Sequence, residues 1–260
     1  MHVGVIGRGH VGRSVIRQFR EHEVVSYDLT DSTSYPEAEL RACDIAMICV
    51  DTPPLPDGSA DVSHVEAAIA RIPCDNVVIR STVPPGTTAR LAEATGKSLC
   101  FWPEYVGETQ FLGSSWEEFS ATQPFIILGG RAEHRRRVVD LLLPVFGPQV
   151  RLFQCTSAEA ELIKYMENSY FAAKITFVNE FRELSEQLGL DWHTVREGWL
   201  LDPRVDRDHT AAFAEERGFA GRCLPKDLSA ILRVASDSGL QLRMLSAVQE
   251  ANGEFRRSAD

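Results

Sequence analysis

A chain of 260 residues, 44% hydrophobic and 25% charged, is long enough to bury a large core and to form more than one domain. Its formal net charge of −10 argues against nucleic acid or an anionic membrane as the main partner. Cys43, Cys49, Cys74, Cys100, Cys155 and Cys223 are scattered, with no CxxC pair, which fits reduced thiols in the cytoplasm better than a disulfide framework or a metal site. No apolar run reaches the length of a membrane span, and no signal peptide is expected ahead of the first strand.

His2 to Ile6 is a short apolar strand. Gly7-Arg-Gly9-His10-Val11-Gly12 follows and leads into an amphipathic stretch to about Glu21. In a strand–turn–helix unit of this kind Gly7 permits the turn, Gly9 lets a pyrophosphate approach the backbone, and Gly12 lets the helix pack on the strand. N–H groups at the helix start would hold the phosphates. A second strand, Glu23 to Tyr27, ends at Asp28, whose carboxylate can accept from both ribose hydroxyls and would repel a 2′-phosphate, so NAD is expected rather than NADP.

Asp44 to Val50 is an unbroken apolar run suited to a buried parallel strand, and it ends at Asp51-Thr52-Pro53-Pro54. Ser63 and Glu66 have the spacing of a capping box for a helix to about Ile72. A strand at Val77–Arg80 runs into Ser81-Thr82-Val83-Pro84, and Thr87 starts the next helix. Ser98 to Trp102 is a further strand, ending at Pro103-Glu104 and followed by Glu108. Two last strands are expected at 125–128 and 150–153, with a helix over 132–143 between them. The repeating βα pattern predicts a Rossmann-type, doubly wound parallel sheet in an α/β domain, residues 1–155. Its carboxyl edge would gather Thr52, Thr82, Glu104 and Glu108, although threonines in loops often only cap turns and glutamates are often solvated.

The remainder, 156–260, reads as an all-helical domain with a long central helix. Residues 157–187 carry no Pro or Gly and would span roughly 45 Å as one helix. Glu161, Lys164 and Asn168 share one face of it. A Lys and an Asn one turn apart can both donate to a developing oxyanion, yet charged helix faces are usually solvated. Gly189 ends the helix, Asp191 starts a shorter one to about Leu201, and two more are expected at 224–237 and 240–255. His193 is expected to be exposed, and no grouping has metal-ligand spacing. A long helix with an apolar face needs a partner, so a homodimer is expected.

Gly218-Phe-Ala-Gly221-Arg222-Cys223-Leu-Pro225-Lys226-Asp227 places a cysteine at the end of a glycine-bearing turn, with Pro225 opening a helix. Arg222, Lys226 and a helix start would favour its thiolate, and Asp227 lies about one helical turn away. A cysteine is more often a buried small hydrophobe, but glycines and charges are poor core neighbours, and covalent catalysis is the expected role of Cys223.

Together these residues resemble the UDP-glucose/GDP-mannose dehydrogenase family. The resemblance rests on the Gly7–Gly12 turn, Thr52-Pro53, Ser81-Thr82-Val83-Pro84-x-Gly86-Thr87, Pro103-Glu104 with Glu108, Glu161-x-x-Lys164-x-x-x-Asn168, Asn179-Glu180, Asp202-Pro-Arg204 and the Gly218–Asp227 stretch. It covers nearly the whole chain. It implies two successive NAD-dependent oxidations of a primary alcohol, ending at a carboxylate. It implies that Cys223 forms a thiohemiacetal and then a thioester, that Lys164 and Asn168 stabilise the oxyanion, and that Asp227 with Thr82 holds a water. Glu108 would assist proton transfer or hydrolysis, and Glu104 would shape the site. NAD would be held by Gly7, Gly9, His10, Val11, Gly12, Asp28, Val50, Thr52, Thr82, Glu108 and Lys226. Substrate, of sugar, nucleoside or nucleotide type, would meet Glu104, Lys164, Asn168, Arg204, Gly221 and Arg222.

Four departures stand beside the matches. The second α/β domain that holds the nucleotide in this family has no counterpart, so a short form is expected. Residues 205–217 fit poorly, Ala220 replaces a usual glycine, and Arg222 stands where a smaller or neutral residue is common. Arg204, Arg207, Arg217 and Arg222 are either surface charges or a site for a smaller anion, such as the phosphate of a sugar or nucleoside phosphate. Two rival readings are a two-electron 3-hydroxyacid-type dehydrogenase, which has no use for the thiol, and a non-catalytic NAD-binding subunit that needs a partner chain.

Overall fold

A computed structural model describes residues 1–31, 34–105 and 125–258. They form two compact units, one of residues 1–55 and 60–164, the other of residues 56–59 and 165–260.

In the first unit the apolar runs become β1 (His2–Ile6), followed by α1 (His10–Gln18), β2 (Glu23–Tyr27), α2 (Glu37–Arg41), β3 (Ile45–Ile48), α3 (Ser63–Arg71), β4 (Asn76–Ile79), α4 (Thr87–Thr95) and β5 (Ser98–Phe101). From Phe125, where the described residues resume after Tyr105, come β6 (Phe125–Gly130), α5 (Ala132–Phe146), β7 (Arg151–Cys155) and the start of α6 (Ser157–Gln187). The seven strands form one sheet in the order β2-β1-β3-β4-β5-β6-β7. One face buries Ile48, Ile79 and Phe101 with Val65 of α3 and Leu91 of α4. The other buries Val5, Met47, Val78 and Cys100 with Val15 of α1 and Val138 of α5. Helices on both faces make the sheet doubly wound. The chain leaves β1 for β2 on one side and returns to β3 on the other, so the switch point, where ligands bind in such sheets, lies between β1 and β3.

The sheet departs from the expected all-parallel form at one place. β6 runs antiparallel to β5, pairing Cys100 with Gly130 and Phe101 with Gly129, while β6 and β7 are parallel. An apolar run reads alike in either direction, so its pattern carries no signal of polarity. Gly130, at φ 153°, allows the close pairing: a Cβ there would sit 3.0 Å from the Cys100 sulfur.

Two helix details also differ. Ser63 is not a cap: its N–H donates to Asp61 at 2.9 Å, Val62 is the N-cap, and Glu66 pairs with Arg90 at 2.6 Å. Asp61, two residues earlier, forms the local turn first. Helix α5 continues through Pro144 to Phe146 instead of stopping near Leu143, because its apolar face still has core to cover.

The second unit is helical. α6 is the expected 31-residue helix, ended by Gly189 at φ 67°. It is followed by α7 (Trp192–Trp199), α8 (Leu224–Asp237) and α9 (Arg243–Ser258). Asp191 caps α7 by accepting from the Thr194 N–H at 2.8 Å. The core packs Ala172 of α6 with Phe219, Leu228 and Val248, and Val178 with Trp192 and Ala212. No helix among the described residues is long and apolar enough to cross a membrane.

Candidate active site

The first unit supplies the glycine turn. Gly7 has φ 91°, and a Cβ on Gly12 would run into the Gly7 carbonyl, so this turn closes only with glycine at both places. Gly9, the N-cap of α1, has nothing within 4 Å of where its Cβ would be, and no side chain caps the helix. Open space over an uncapped helix start, with His10, Val11 and Gly12 in its first turn, fits a pyrophosphate. At the end of β2 the Asp28 carboxylate accepts from the Arg8 N–H at 2.7 Å and from the Thr30 N–H and hydroxyl at 3.0 and 2.8 Å. These donors, the Arg8 N–H foremost, hold its pKa below the ordinary carboxylate value. The residues present therefore fit a dinucleotide with a free 2′-hydroxyl.

The strand ends next along the edge are tied to one another. The Thr52 hydroxyl donates to the Thr82 carbonyl at 2.9 Å, and Ser81 donates to the Val50 carbonyl at 2.6 Å. Thr52 is 3% exposed, so its first role is to lock the two loops together. Glu104 is not a solvated charge. It is buried against Arg80, which pairs with it and lies 3.8 Å over the Trp102 ring. Lys164 is also buried, its ammonium 4.8 Å from the centre of the Tyr105 ring. Glu161, fully buried, accepts from the backbone N–H groups of Gly86 at 2.6 Å and Thr88 at 2.8 Å. It fastens α6 to the start of α4 instead of pairing with Lys164 at the surface. Burial pushes its pKa up against the pull of those two donors.

The second unit holds the cysteine. Cys223 is exposed and is the N-cap of α8, with Pro225 in the first turn as its sequence requires. The Asp227 N–H closes that turn onto the Cys223 carbonyl at 2.9 Å. The Asp227 carboxylate is 1% exposed; Asn168 donates to one oxygen at 2.6 Å and Lys226 pairs with the other. Lys226 is thus committed to its neighbour. The glycine turn ahead of the cysteine has Gly218 at φ 72° and Gly221 at φ 82°. Asn252 of α9 clamps it, accepting from the Phe219 N–H at 2.6 Å and donating to the Phe219 carbonyl at 3.0 Å.

The four arginines separate. Arg207 pairs with Glu197 at 2.6 Å. Arg217 is 15% exposed, lies over the Phe255 ring and faces Glu183 and Glu186. Both are therefore structural. Arg204 is 87% exposed and chelates Asp202, two residues before it, and Arg222 is exposed beside Cys223. His193 is exposed on α7, and no group of metal-ligating side chains occurs among the described residues. Glu108, expected at the same edge as Glu104, lies outside the described residues. Sequence reasoning missed Arg80 and Asn252. A charged residue ending a buried strand, and an Asn inside an apolar helix pattern, are the signals that pointed to them.

Residues 18–142 match the NAD binding domain of the UDP-glucose/GDP-mannose dehydrogenase family, and residues 158–254 match its central domain. UDP-glucose 6-dehydrogenase TuaD of Bacillus subtilis is 32% identical over 248 residues, which cover 91% of this chain and 52% of that protein. The structure of a UDP-glucose dehydrogenase from Pyrobaculum islandicum superposes with a TM-score of 0.83 at 30% identity, over 98% of this chain and 68% of that one. 3-Hydroxyisobutyrate dehydrogenase of Mycobacterium tuberculosis shares the fold, with a TM-score of 0.72 at 15% identity, over 99% of this chain and 94% of that one. The chain spans about half the length of the curated relatives it matches. Its first unit is the NAD-binding domain of its family, its second holds the central-domain helices, and the chain belongs to the UDP-glucose/GDP-mannose dehydrogenase family.

Proposed function

We propose that this chain oxidises a primary alcohol to a carboxylate in two NAD-dependent steps, on a sugar nucleotide or a smaller sugar or nucleoside derivative, phosphorylated or not. The observation that carries this reading is Cys223 at the start of α8, with the buried Asp227 one turn on and hydrogen-bonded to Asn168. NAD+, when bound, accepts a hydride in each oxidation, so two are consumed per substrate. The Cys223 thiolate adds to the aldehyde carbon and forms a thiohemiacetal, and the second oxidation leaves a thioester on the same sulfur. Water then adds to the thioester carbonyl, the carboxylate leaves and the thiolate is restored. Lys164 and Asn168 donate to the oxyanion, and Asp227 with Thr82 holds the water. Glu108 and Glu104 complete the proton transfers and the shape of the site. Arg204, Gly221 and Arg222 meet the substrate. We keep the functional division at residue 155, cofactor before it and catalytic helices after it, and assign the protein to the cytoplasm, a compartment that keeps Cys223 reduced.

We also infer a homodimer through α6. Leu162, Met166, Tyr170, Phe177, Phe181, Leu184 and Leu188 are all 45% or more exposed. At about 100° per residue they fall within one stripe, and Glu161, Lys164 and Asn168 fall on the opposite side of the helix. Phe181→Glu should give a monomer by light scattering; a wild-type monomer would remove the inference.

The test of the reaction is NADH formed per substrate consumed, for wild type and Cys223→Ala, across sugar nucleotides, sugar phosphates, nucleosides and nucleotides. Two NADH per substrate with acid formed, lost in the variant, supports the thioester route. One NADH with an unaffected variant overturns it in favour of two-electron chemistry. No turnover despite NAD binding favours a subunit that needs a partner chain.

A further inference from the structure

The chain that leaves β3 at the switch point does not run straight into α3. The Thr52 hydroxyl is pinned to the Thr82 carbonyl at 2.9 Å. Beyond it Pro54 and Ala60 pair antiparallel, with the Asp61 N–H on the Pro53 carbonyl at 2.8 Å. This base belongs to the first unit. The tip that it closes off, residues 56–59, belongs to the second.

The tip is built onto α8. Gly58 has φ 85°, and a Cβ there would sit 2.7 Å from the Ser229 hydroxyl oxygen, so backbone and space both call for glycine. The Asp57 carboxylate divides its oxygens. One accepts from the Ser59 N–H at 3.0 Å and from its hydroxyl at 2.6 Å, which closes the turn. The other pairs with Arg233 at 3.1 Å. An exposed ion pair contributes little alone, so the close packing at Gly58 is the stronger hold. Ser229 and Arg233 lie one turn apart on α8. At about 100° per residue they fall opposite Asp227, Leu228, Ile231 and Ala235, the residues that α8 buries. The helix is therefore held on two sides, by the helical core on one and by residues 56–59 on the other.

We propose that residues 56–59 are a strap: they fasten α8, whose start presents Cys223, to the loop that begins at the cofactor edge, so that NAD+ binding steadies α8. Val50 and Thr52, the expected cofactor contacts, stand at the root of this loop. The strap has two states, seated on α8 and released. Cofactor that orders the root of the loop favours the seated state, and a seated strap favours cofactor to the same degree. Asp57 and Gly58 are positioning residues and touch neither substrate nor cofactor in this scheme. The value of the strap to the reaction rests on the reading of Cys223 as nucleophile; the coupling itself rests on cofactor binding alone.

Hydrogen exchange of the full chain, with and without saturating NAD+, tests this without any turnover. In wild type NAD+ should slow exchange over α1, where the pyrophosphate is expected, and over 224–235 by about fivefold or more, the low end of a site-to-site coupling. Exchange over α7, in the same unit but with none of these contacts, should not change. Gly58→Ala should keep the protection of α1 and lose that of 224–235. If Gly58→Ala does not fold, Asp57→Ala/Arg233→Ala, which cuts only the exposed pair, must lower the protection of 224–235 while that of α1 stays. Absence of protection at 224–235 in wild type overturns the proposal, as does protection that survives in full in a folded Gly58→Ala. Equal protection of α7 also overturns it, since NAD+ would then steady the helical unit as a whole. If wild type turns over nothing in the substrate screen, the proposed reaction fails and the exchange still decides the role of the strap.

Discussion

Asn168 donates its side-chain N–H to Asp227 at 2.6 Å, with both residues buried in the second unit. A primary amide has two N–H groups, so one is committed here and the other is the one the proposed reaction uses. Asp227 in turn lies in the first turn of α8, its own N–H bonded to the Cys223 carbonyl at 2.9 Å. The contact therefore links Asn168, the oxyanion donor of the proposed reaction, to the helix start that presents the sulfur.

If the proposed reaction holds, Asn168→Ala removes both functions at once. Loss of a preorganised oxyanion donor should lower the thiohemiacetal-forming and oxidation steps by about 100- to 1000-fold. The buried Asp227 also loses a hydrogen bond, at a cost of about 1–3 kcal/mol. Single-turnover kinetics and urea unfolding separate the two effects. Full activity in a destabilised Asn168→Ala would assign the residue to structure alone.

We propose that Asp28 sets cofactor choice. Its pKa is held below the ordinary carboxylate value by the Arg8 and Thr30 donors, so it stays ionised as pH falls through the usual carboxylate range. NAD+ affinity should therefore change little between pH 7 and pH 5. Asp28→Ser removes the acceptor for the ribose hydroxyls and the repulsion of a 2′-phosphate, so NAD+ binding should weaken and NADP+ binding strengthen. Titration calorimetry of both cofactors at both pH values checks this. An Asp28→Ser protein with unaltered preference would show that the carboxylate does not face the ribose.

Much of this was legible in the chain. The Gly7–Gly12 turn, Asp28 after β2, Pro225 at the start of α8 and the stop at Gly189 depend on local backbone chemistry, and local chemistry is written in neighbouring residues. Strand polarity was not, because the apolar run of β6 reads the same in both directions. Burial of charge was not either. Glu104, Glu161 and Lys164 look like solvated residues until their partners Arg80, Gly86 and Tyr105 arrive from 24 to 75 positions away, and Arg207 and Arg217 look available until the carboxylates they face are known. Spacing along one helix put Lys164 and Asn168 on one face; only the fold shows that this face is buried.

The turn ahead of Cys223 depends on Asn252. Its amide satisfies both the N–H and the carbonyl of Phe219, and a Cβ on Gly218 would collide with it. Asn252→Ala should destabilise the fold by about 1–3 kcal/mol and increase hydrogen exchange across 218–223. Gly218→Ala, with φ 72° as well as the collision, should do at least as much. Unaltered exchange at 218–223 in Asn252→Ala would mean that Gly218 alone holds the turn.

Glu161 gives stability a pH dependence of definite sign. Burial raises its pKa above the ordinary 4.5, with the Thr88 and Gly86 donors offsetting part of the effect. The folded state thus holds the proton more tightly than the unfolded state does. The stability this contributes is complete below the unfolded value and is lost as pH rises through the folded one. Glu161→Gln carries no titrating proton and keeps an acceptor for the start of α4. Urea unfolding of both proteins from about pH 4 to pH 7 should show the advantage of wild type over the variant shrinking as pH rises, since the other carboxylates titrate alike in both. An advantage that grows with pH would mean that the two backbone donors outweigh burial and that Glu161 serves its helix start as a stable anion.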